Sequence, residues 1–318
     1  MRQGHHRRTR FPSDGHPKPT SPPVLRTAHS RGLVEVEGKA IWWQIFRPSQ
    51  PATAVIAMFH GYGDHSDFIM FEKAHDLALA GGFTVIAFDQ PGFGRSDGLW
   101  GFIPDWFAHV ALCVSATKAI LNSNLSPHET SLPVFAYGHS MGGGLVATTS
   151  VLQPNLFAGI VLSAPMCGLA KNLRRHWLIE AVFFALADYF PTLPITPVPE
   201  LGDLCFKDPA YYQISKRVNH LNYPGRVRLG TAKSMLIAQQ WIGAHSHELL
   251  TPFLILHGDS DFVTSSESSQ LLHKSAGATD KTIQILPGYF HSIIGPGQPR
   301  AMSEHALGLI VNWVKART

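Results

Sequence analysis

The sequence predicts an α/β fold in which helices flank both faces of a mostly parallel central sheet. Short and almost continuously apolar runs such as "ATAVIAMFHG", "FAGIVLSAP" and "PFLILHG" alternate with longer segments of helical spacing. Strands of a parallel sheet are buried on both faces and therefore read as continuous apolar runs, and helices form the crossovers between them. The 318 residues, 45% hydrophobic and 15% charged, are enough for one large core or for a core with an inserted lobe.

The elements follow one another in a regular order from residue 32 onward. The runs "LVEVEG" and "AIWWQIFR" alternate in polarity and predict an opening antiparallel hairpin. Beyond this hairpin, apolar runs predict strands at 52–61, 83–89, 132–138, 157–165, 252–258 and 281–288. Helical spacing predicts helices at 71–82, 106–124, 141–153, 231–243 and 302–317.

One long insertion breaks this rhythm. About 85 residues separate the apolar run that ends at residue 165 from the one that begins at residue 251, although such connections usually need a short loop and one helix. The insertion contains the dense apolar run "WLIEAVFFALADYFPTLPITPVP". We interpret residues 166–250 as a helical cap over the carboxyl ends of the strands, where ligands bind in open α/β sheets. The alternative is a helical insertion that packs as ordinary core. Residues 32–165 and 251–318 then form the core.

The basic charge of the chain is concentrated in residues 1–31. This segment is rich in Pro, His, Arg and Ser and holds seven Lys and Arg against one acid, which predicts a disordered basic tail. The rest of the chain has 19 basic and 21 acidic residues, which argues against nucleic-acid binding. The tail lacks the apolar region of a secretory signal, and organelle targeting is the alternative interpretation. No window reaches the ~18 apolar residues of a membrane-spanning helix, so we expect a cytoplasmic protein, with association with a membrane as an option.

Metal and disulfide chemistry find no support in the sequence. The three cysteines are odd in number and widely spaced, and no CxxC pair is present, so neither a disulfide framework nor a metal site is predicted: Cys113, Cys167 and Cys205.

The stretch "FAYGHSMGGGL" places a serine between two glycines, where a strand is followed by a helix. Glycines two residues before and two residues after a serine permit a turn so tight that the serine stands clear of the sheet as a nucleophile. The alternative is that Ser140 only caps the helix that follows. The strand before and the helix after the motif favour the nucleophile.

A serine hydroxyl needs a base to take its proton, and the base needs a partner that orients it. In this class of fold an acid and then a histidine follow later strands. Asp259 and Asp261 both follow the strand "FLILHG", and the order of residues alone does not choose between them. His291 follows the last strand and is the expected base, whereas His139 is expected to support the turn at the serine.

Acyl transfer also needs backbone N–H donors for an oxyanion. Met141, directly after the serine, is one expected donor, and Tyr62 in the glycine-bearing loop "HGYGDHS" is the other. We expect the His60 imidazole to be structural. The loop "DQPGFGRSDG" lacks the register of a dinucleotide-binding loop and is expected to be a structural turn that shapes the pocket.

Together these residues resemble the monoacylglycerol lipase-like branch of the α/β-hydrolase superfamily, with plant-type members such as caffeoylshikimate esterases and lysophospholipase-like proteins most similar. The resemblance covers about residues 32–318 and rests on "HGYGDHS", "FDQPGFGRSDG", "GHSMGG", "LSAPMCG", "RVRLGT", "FLILHGDSDFVT" and "TIQILPGYFHSI". It implies an α/β-hydrolase fold, Asp261 as the acid, and Tyr62 and Met141 as oxyanion donors. Phe93 departs from the histidine that is commoner in the family. Residues 171–205 match poorly, and because the cap shapes the acyl and alcohol pockets, this leaves the substrate open.

The resemblance and the motifs predict a serine carboxylic-ester hydrolase that acts through a covalent acyl-enzyme and needs no metal or organic cofactor. The apolar cap favours a lipid ester, either a monoacylglycerol or a lysophospholipid, and makes the cap a candidate for peripheral membrane contact. Three alternatives stay open: an acyltransferase, a small-molecule-binding homologue without turnover, and a hydroxycinnamoyl esterase. In the last of these, aromatic residues of the cap would stack on the ring: Trp177, Phe183, Phe184 and Tyr189. The oligomeric state is not predicted.

Overall fold

The computed structural model describes residues 30–67, 69–173, 177–196, 202–295 and 297–318. Within these ranges the strands are β1 (Ser30–Val36), β2 (Lys39–Phe46), β3 (Val55–Phe59), β4 (Thr84–Phe88), β5 (Val134–His139), β6 (Gly159–Ser163), β7 (Phe253–Gly258) and β8 (Lys281–Leu286). The helices are α1 (Ile69–Gly81), α2 (Trp106–Asn124), α3 (Pro127–Thr130), α4 (Met141–Leu152), α5 (Trp177–Tyr189), α6 (Gly202–Cys205), α7 (Pro209–Val218), α8 (Leu229–His245), α9 (Ser266–Ser275) and α10 (Arg300–Lys315). Each strand and helix expected outside the insertion is present.

The strands form one sheet in the order β1-β2-β4-β3-β5-β6-β7-β8. The pairs β1–β2 and β2–β4 are antiparallel, and every pair from β4 to β8 is parallel. This confirms the predicted opening hairpin and the mostly parallel sheet. Because the parallel strands run in one direction, the loops that follow β3, β5, β7 and β8 leave the sheet at the same edge.

Each face of the sheet carries its own hydrophobic core. In β3, Val55, Ala57 and Phe59 face one core and Ile56 and Met58 face the other, because successive side chains of a strand point to opposite faces. Helices α2, α4 and α8 contribute to the first core, and α1 and α10 contribute to the second. The sheet edge that carries the loops is therefore supported by packed helices on both sides.

The chain between β6 and β7 contains α5, α6, α7 and α8. Helix α8 packs against α4 and α2 and buries Ala238 and Ile242 in the first core. Helix α5 packs against α8. The cap range of 166–250 stays a prediction. Because α8 packs on the core, only the residues before Leu229 can form a cap that lies apart from it.

The first strand begins earlier than the sequence suggested. Ser30 and Arg31 pair with Ile45 and Gln44 in β1–β2, although both lie in the segment expected to be a disordered tail. The remainder of that segment, residues 1–29, lies outside the described residues.

Candidate active site

Ser140, the expected nucleophile, lies in a sharp turn between β5 and α4. Its backbone has φ 55° and ψ −118°, a conformation that residues other than glycine rarely adopt. Ser140 occupies the N-cap position of α4, but its side chain makes no capping hydrogen bond. Backbone bonds hold the turn, since Ser140 N donates to Ser163 O (3.0 Å) and Met166 N donates to Ser140 O (2.9 Å). The geometry argues against the capping alternative.

Two glycines make this turn possible. A Cβ at Gly138 would lie 2.4 Å from the carbonyl oxygen of Gly142, and a Cβ at Gly142 would lie 2.1 Å from the carbonyl oxygen of Phe59. Real side chains do not tolerate such distances, so the start of α4 can approach β5 and β3 only without them. The spacing of the glycines around Ser140 follows from this close approach.

The loop that follows β3, residues 60–67, is here called the oxyanion loop, and it lies directly beside the serine. A Cβ at Gly61 would be 3.3 Å from the Cβ of Ser140. Tyr62 comes after this glycine and Met141 comes after the serine, and neither backbone N–H donates a hydrogen bond to any residue that the structure describes. Two backbone donors are therefore available next to Ser140, as an oxyanion hole requires.

The His60 imidazole pins the start of the oxyanion loop. Gln90 N donates to His60 Nε2 (2.9 Å), so Nδ1 carries the proton and donates to the carbonyl of Gly61 (2.8 Å). The Gln90 side chain donates to the carbonyl of His60 (2.7 Å). Burial lowers the pKa of His60, which keeps the ring neutral. The structural role expected for this imidazole agrees with these bonds.

The glycine-rich loop after β4, residues 89–98, hydrogen-bonds to the oxyanion loop and packs against it. The Asp89 carboxylate accepts bonds from Ser66 N (2.7 Å) and from Arg95 N (2.6 Å). Phe93 packs edge-on against the Tyr62 ring, with centroids 5.5 Å apart. These contacts are structural, as the sequence suggested for this loop. Phe93 contributes by packing against the Tyr62 ring.

The inserted segment, residues 166–250, holds the other side of the oxyanion loop. Tyr223 N donates to the carbonyl of Gly63 (2.9 Å). Asp67 N donates to His65 Nδ1 (3.1 Å), so His65 Nε2 carries the proton and donates to Asn219 Oδ1 (2.6 Å). Sequence reasoning missed Asn219 and Tyr223, because no local pattern marks contacts between residues so far apart in the chain; His65 and Asn219 are separated by 154 positions.

Asp261 and His291 meet at the same edge of the sheet. His291 Nδ1 lies 2.8 Å from Asp261 Oδ2. The other carboxylate oxygen accepts bonds from Val263 N (2.7 Å) and Thr264 N (3.0 Å), and the Thr264 hydroxyl donates to Oδ2 (2.7 Å). The carboxylate is fully buried, and these hydrogen bonds compensate for its removal from water.

These donors keep Asp261 charged. Burial alone would raise its pKa, but the adjacent His291 and the hydrogen bonds from His257 and His291 outweigh burial and hold the pKa well below its usual value. His257 was not among the residues expected from the sequence. Its position four residues before Asp261 in "HGDSD" is the one sequence signal for it.

Asp259, the other aspartate left open by the sequence, has a different environment. Its side chain accepts bonds from Gly288 N (2.7 Å) and from the Ser260 hydroxyl (2.9 Å), and it is exposed. The geometry therefore pairs His291 with Asp261 and uses Asp259 to join two loops.

His139 packs against the expected base. Its ring centroid lies 4.9 Å from that of His291. Burial, together with nearby Lys73 and His291, lowers the pKa of His139 well below its usual value. Lys73 is itself 2% exposed, and burial lowers its pKa to about 8. His139 is therefore neutral near neutral pH, and its role in supporting the turn at Ser140 stays a prediction.

The loop that carries His291, residues 287–295, is also held by the inserted segment. Ser292 N donates to the carbonyl of Cys205 (2.9 Å), and the Lys207 ammonium donates to the carbonyl of Gly288 (3.3 Å). The inserted segment thus contacts both loops that frame Ser140. The dense apolar composition of the segment gave no sign of these polar contacts.

The cysteines and possible metal ligands add no further centre in the part of the chain that the structure describes. Cys113, Cys167 and Cys205 take part in no disulfide bond there. Across these same ranges, no group of three or more His, Cys, Asp and Glu side chains is arranged to hold a metal ion.

The fold and the site together define an α/β hydrolase. A family model described as serine aminopeptidase S33 matches residues 50–296. The chain belongs to this family.

Among known proteins, the chain is 30% identical to the caffeoylshikimate esterase of Arabidopsis thaliana, over 90% of this chain and 85% of that protein. It is 27% identical to a monoacylglycerol lipase of Mycolicibacterium smegmatis, over 91% of this chain and 99% of that protein. Its fold matches a monoglyceride lipase from Saccharomyces cerevisiae, solved with a substrate analog, with a TM-score of 0.80 and 19% identity over 94% of this chain and 99% of that one. The predicted resemblance is confirmed, and the chain is grouped with hydrolases and esterases.

We expect Asp261→Asn to lower kcat/KM for a soluble ester by about 10³–10⁴-fold, because an amide cannot stabilise a charged imidazole and favours the wrong tautomer. Steady-state hydrolysis of a short-chain p-nitrophenyl ester measures this. Asp259→Asn is the matched control and should change kcat/KM by less than about threefold, since its carboxylate lies at the surface. A larger loss in the control than in Asp261→Asn would reverse the assignment of the acid.

We expect Asn219→Ala to lower kcat by about tenfold with little change in KM. The substitution removes the acceptor of the His65 ring and loosens the oxyanion loop, whose donors act mainly in the transition state. The same ester assay measures kcat and KM separately. Asn222→Ala, in the same segment, keeps the His65–Asn219 bond and should retain kcat. Equal losses in the two variants would contradict the role given to Asn219.

Proposed function

We propose that this chain is a serine carboxylic-ester hydrolase that works through a covalent acyl-enzyme. The observation that carries the proposal is the strained backbone of Ser140, φ 55° without a capping bond, beside two backbone N–H groups that have no acceptor among the described residues. Strain of this kind persists only where the surrounding structure enforces it, and it is typical of active sites. A helix cap would not need it.

In the proposed reaction, the Ser140 hydroxyl attacks the ester carbonyl and His291 Nε2 accepts its proton. His291 Nδ1 is engaged by Asp261, which leaves Nε2 for proton transfer and stabilises the charged ring. The amides of Tyr62 and Met141 bind the oxyanion of the tetrahedral intermediate. His291 then protonates the leaving alcohol, and a water molecule releases the acyl group by the reverse steps.

The favoured substrate is a lipid ester, either a monoacylglycerol or a lysophospholipid. Apolar side chains on α5 and the segment that follows support a cap suited to an acyl chain, and one relative is named a monoacylglycerol lipase.

A hydroxycinnamoyl ester is the second candidate, because another relative is named a caffeoylshikimate esterase. Aromatic rings that could stack on it also lie in and beside the oxyanion loop: Tyr62, Trp100 and Tyr223. Of the aromatic cap residues expected from the sequence, Phe183 and Phe184 contact each other, Tyr189 is 81% exposed, and the side chain of Trp177 lies outside the described residues.

We expect a fluorophosphonate to form one covalent adduct with the wild-type protein and none with Ser140→Ala, as measured by intact mass. An activated serine reacts because its base removes the proton during attack. Circular dichroism of both proteins establishes that they are folded. A folded wild type without an adduct would contradict the proposal and favour a binding protein without turnover.

A panel of monoacylglycerols, lysophospholipids and caffeoyl esters then compares kcat/KM, with added alcohol acceptors to detect acyl transfer. Highest kcat/KM for a long-chain monoacylglycerol or lysophospholipid would support the proposed substrate class. Preference for caffeoyl esters, or products dominated by acyl transfer, would replace it with one of the alternatives.

We also propose that the cap contacts a membrane surface. None of the helices that the structure describes is long and apolar enough to cross a membrane. However, a group of large apolar side chains on α5 and the residues after it has exposed fractions of 41–81%: Val182, Leu186, Tyr189, Phe190, Leu193 and Ile195. Exposed apolar groups of this kind are typical of interaction sites for partners or membranes.

We expect the double variant Phe190→Ser, Ile195→Ser to reduce binding to phosphatidylcholine vesicles by at least about tenfold, because each side chain loses apolar area that the bilayer would cover. Co-sedimentation with vesicles measures the effect. Leu33→Ser and Leu271→Ser, which replace exposed leucines of β1 and α9 (56% and 65% exposed), are the controls. Equal binding of the double variant and the wild type would exclude this surface.

A further inference from the structure

A second histidine contacts the carboxylate that pairs with His291. His257 lies in β7, and its side chain is completely buried. His257 Nε2 is 3.2 Å from Asp261 Oδ2, the same oxygen that contacts His291 Nδ1. On the other side of the ring, His257 Nδ1 is 2.8 Å from the hydroxyl of Ser269 in α9. The Thr264 hydroxyl also lies 3.4 Å from His257 Nε2, so both ring nitrogens of His257 have polar partners.

The positions of the protons follow from these contacts. Asp261 is charged, so Oδ2 can only accept, and His257 Nε2 must carry a proton and donate it. A doubly protonated His257 would place a second cation on the oxygen that has to stabilise the His291 imidazolium. In a neutral ring Nδ1 is an acceptor, and the Ser269 hydroxyl donates to it. The Ser269 hydroxyl therefore donates to His257, and His257 donates to Asp261 Oδ2, the oxygen that His291 Nδ1 also contacts.

We propose that His257 is a positioning residue for the proposed reaction: as a neutral donor, it fixes the Asp261 carboxylate and weakens the hold of that carboxylate on protonated His291. This inference rests on the proposed function of Ser140, Asp261 and His291. Each donor on Oδ2 withdraws negative charge from the carboxylate. Without His257, Asp261 would bind the His291 imidazolium more tightly, and His291 would need a higher pH to become the neutral base.

A purely structural histidine would also be buried and hydrogen-bonded, so stability alone does not test the inference. The two roles differ in the pH dependence of kcat/KM, whose acidic limb reports protonation of the free enzyme's base. A structural role predicts loss of folded protein without movement of the limb. A positioning role predicts that the limb moves to higher pH.

Other titratable groups face this network and must be separated from it. His139 packs on His291, but its lowered pKa keeps it neutral around the acidic limb. Lys73, which acts on His139, has its pKa lowered to about 8 and so titrates on the basic side. Thr264 contacts Asp261 and both histidines but does not titrate. The acidic limb is therefore the informative part of the profile.

The test compares His257→Met with His257→Gln. Methionine fills a similar volume without a donor, whereas the glutamine amide can still donate to Asp261. We expect the acidic limb of His257→Met to move up by about half a unit to one unit and its kcat/KM at pH 7 to fall by about tenfold. The limb of His257→Gln should stay close to the wild-type position. The substrate is p-nitrophenyl butyrate, read at a wavelength where both forms of the phenol absorb equally.

Two further variants keep the inference testable if His257→Met does not fold. Ser269→Ala removes the donor to Nδ1, which weakens the polarised Nε2–H, and should move the limb in the same direction by a smaller amount. Thr148→Val removes the acceptor of the Trp106 indole (3.1 Å) and is the control for a lost buried hydrogen bond in the core. It should leave the limb unmoved.

An unmoved acidic limb in His257→Met, or in Ser269→Ala where His257→Met is unfolded, would overturn the positioning role. Equal shifts in His257→Gln and His257→Met would overturn it as well. Failure of the proposed function has a different signature, because the wild type would then form no fluorophosphonate adduct at Ser140. An adduct on wild type with unmoved limbs in the variants leaves the proposed function standing and removes this inference alone.

Discussion

The close approach of α4 to β3 and β5 determines where Ser140 and the proposed oxyanion donors lie. Only glycine fits at Gly138 and Gly142, where a Cβ would lie 2.4 Å and 2.1 Å from backbone oxygens. Because α4 begins so close to the end of β3, the loop after β3 passes beside Ser140. The amide of Met141 and the amide of Tyr62 are thereby brought near one hydroxyl. One steric constraint positions the proposed nucleophile and both proposed oxyanion donors.

The buried carboxylate of Asp261 imposes the second constraint. A charge removed from water is tolerated only when donors compensate for the lost hydration. Here the donors come from the backbone after β7, from Thr264, and from two histidines on different elements. The need to satisfy one carboxylate therefore ties β7 to the loop after β8. This accounts for the defined orientation of His291, the proposed base, although it lies on a loop.

Much of this arrangement could be predicted from the sequence. Continuous apolar runs gave the parallel strands, and the GxSxG spacing in strand–helix context indicated Ser140. The choice between Asp259 and Asp261 needed either the family resemblance or the structure, because both follow β7 and only side-chain direction separates them. His257 and Asn219 were missed for a physical reason: each acts through a side-chain contact whose partner is set by packing, not by local pattern. The packing of α8 on the core was likewise hidden, since amphipathic spacing does not say which neighbour covers the apolar face.

The inserted segment combines two tasks that could conflict. Its apolar surface is expected to determine substrate specificity. Other residues of the segment hydrogen-bond to the oxyanion loop and to the loop of His291. Two of the contacts that do so, Tyr223 N to Gly63 O and Ser292 N to Cys205 O, join backbone atoms. Backbone contacts place little restriction on the side chains around them. Substitutions that reshape the apolar surface can therefore alter the proposed substrate pocket without displacing the two loops that frame Ser140. The His65–Asn219 bond depends on both side chains and does not share this tolerance.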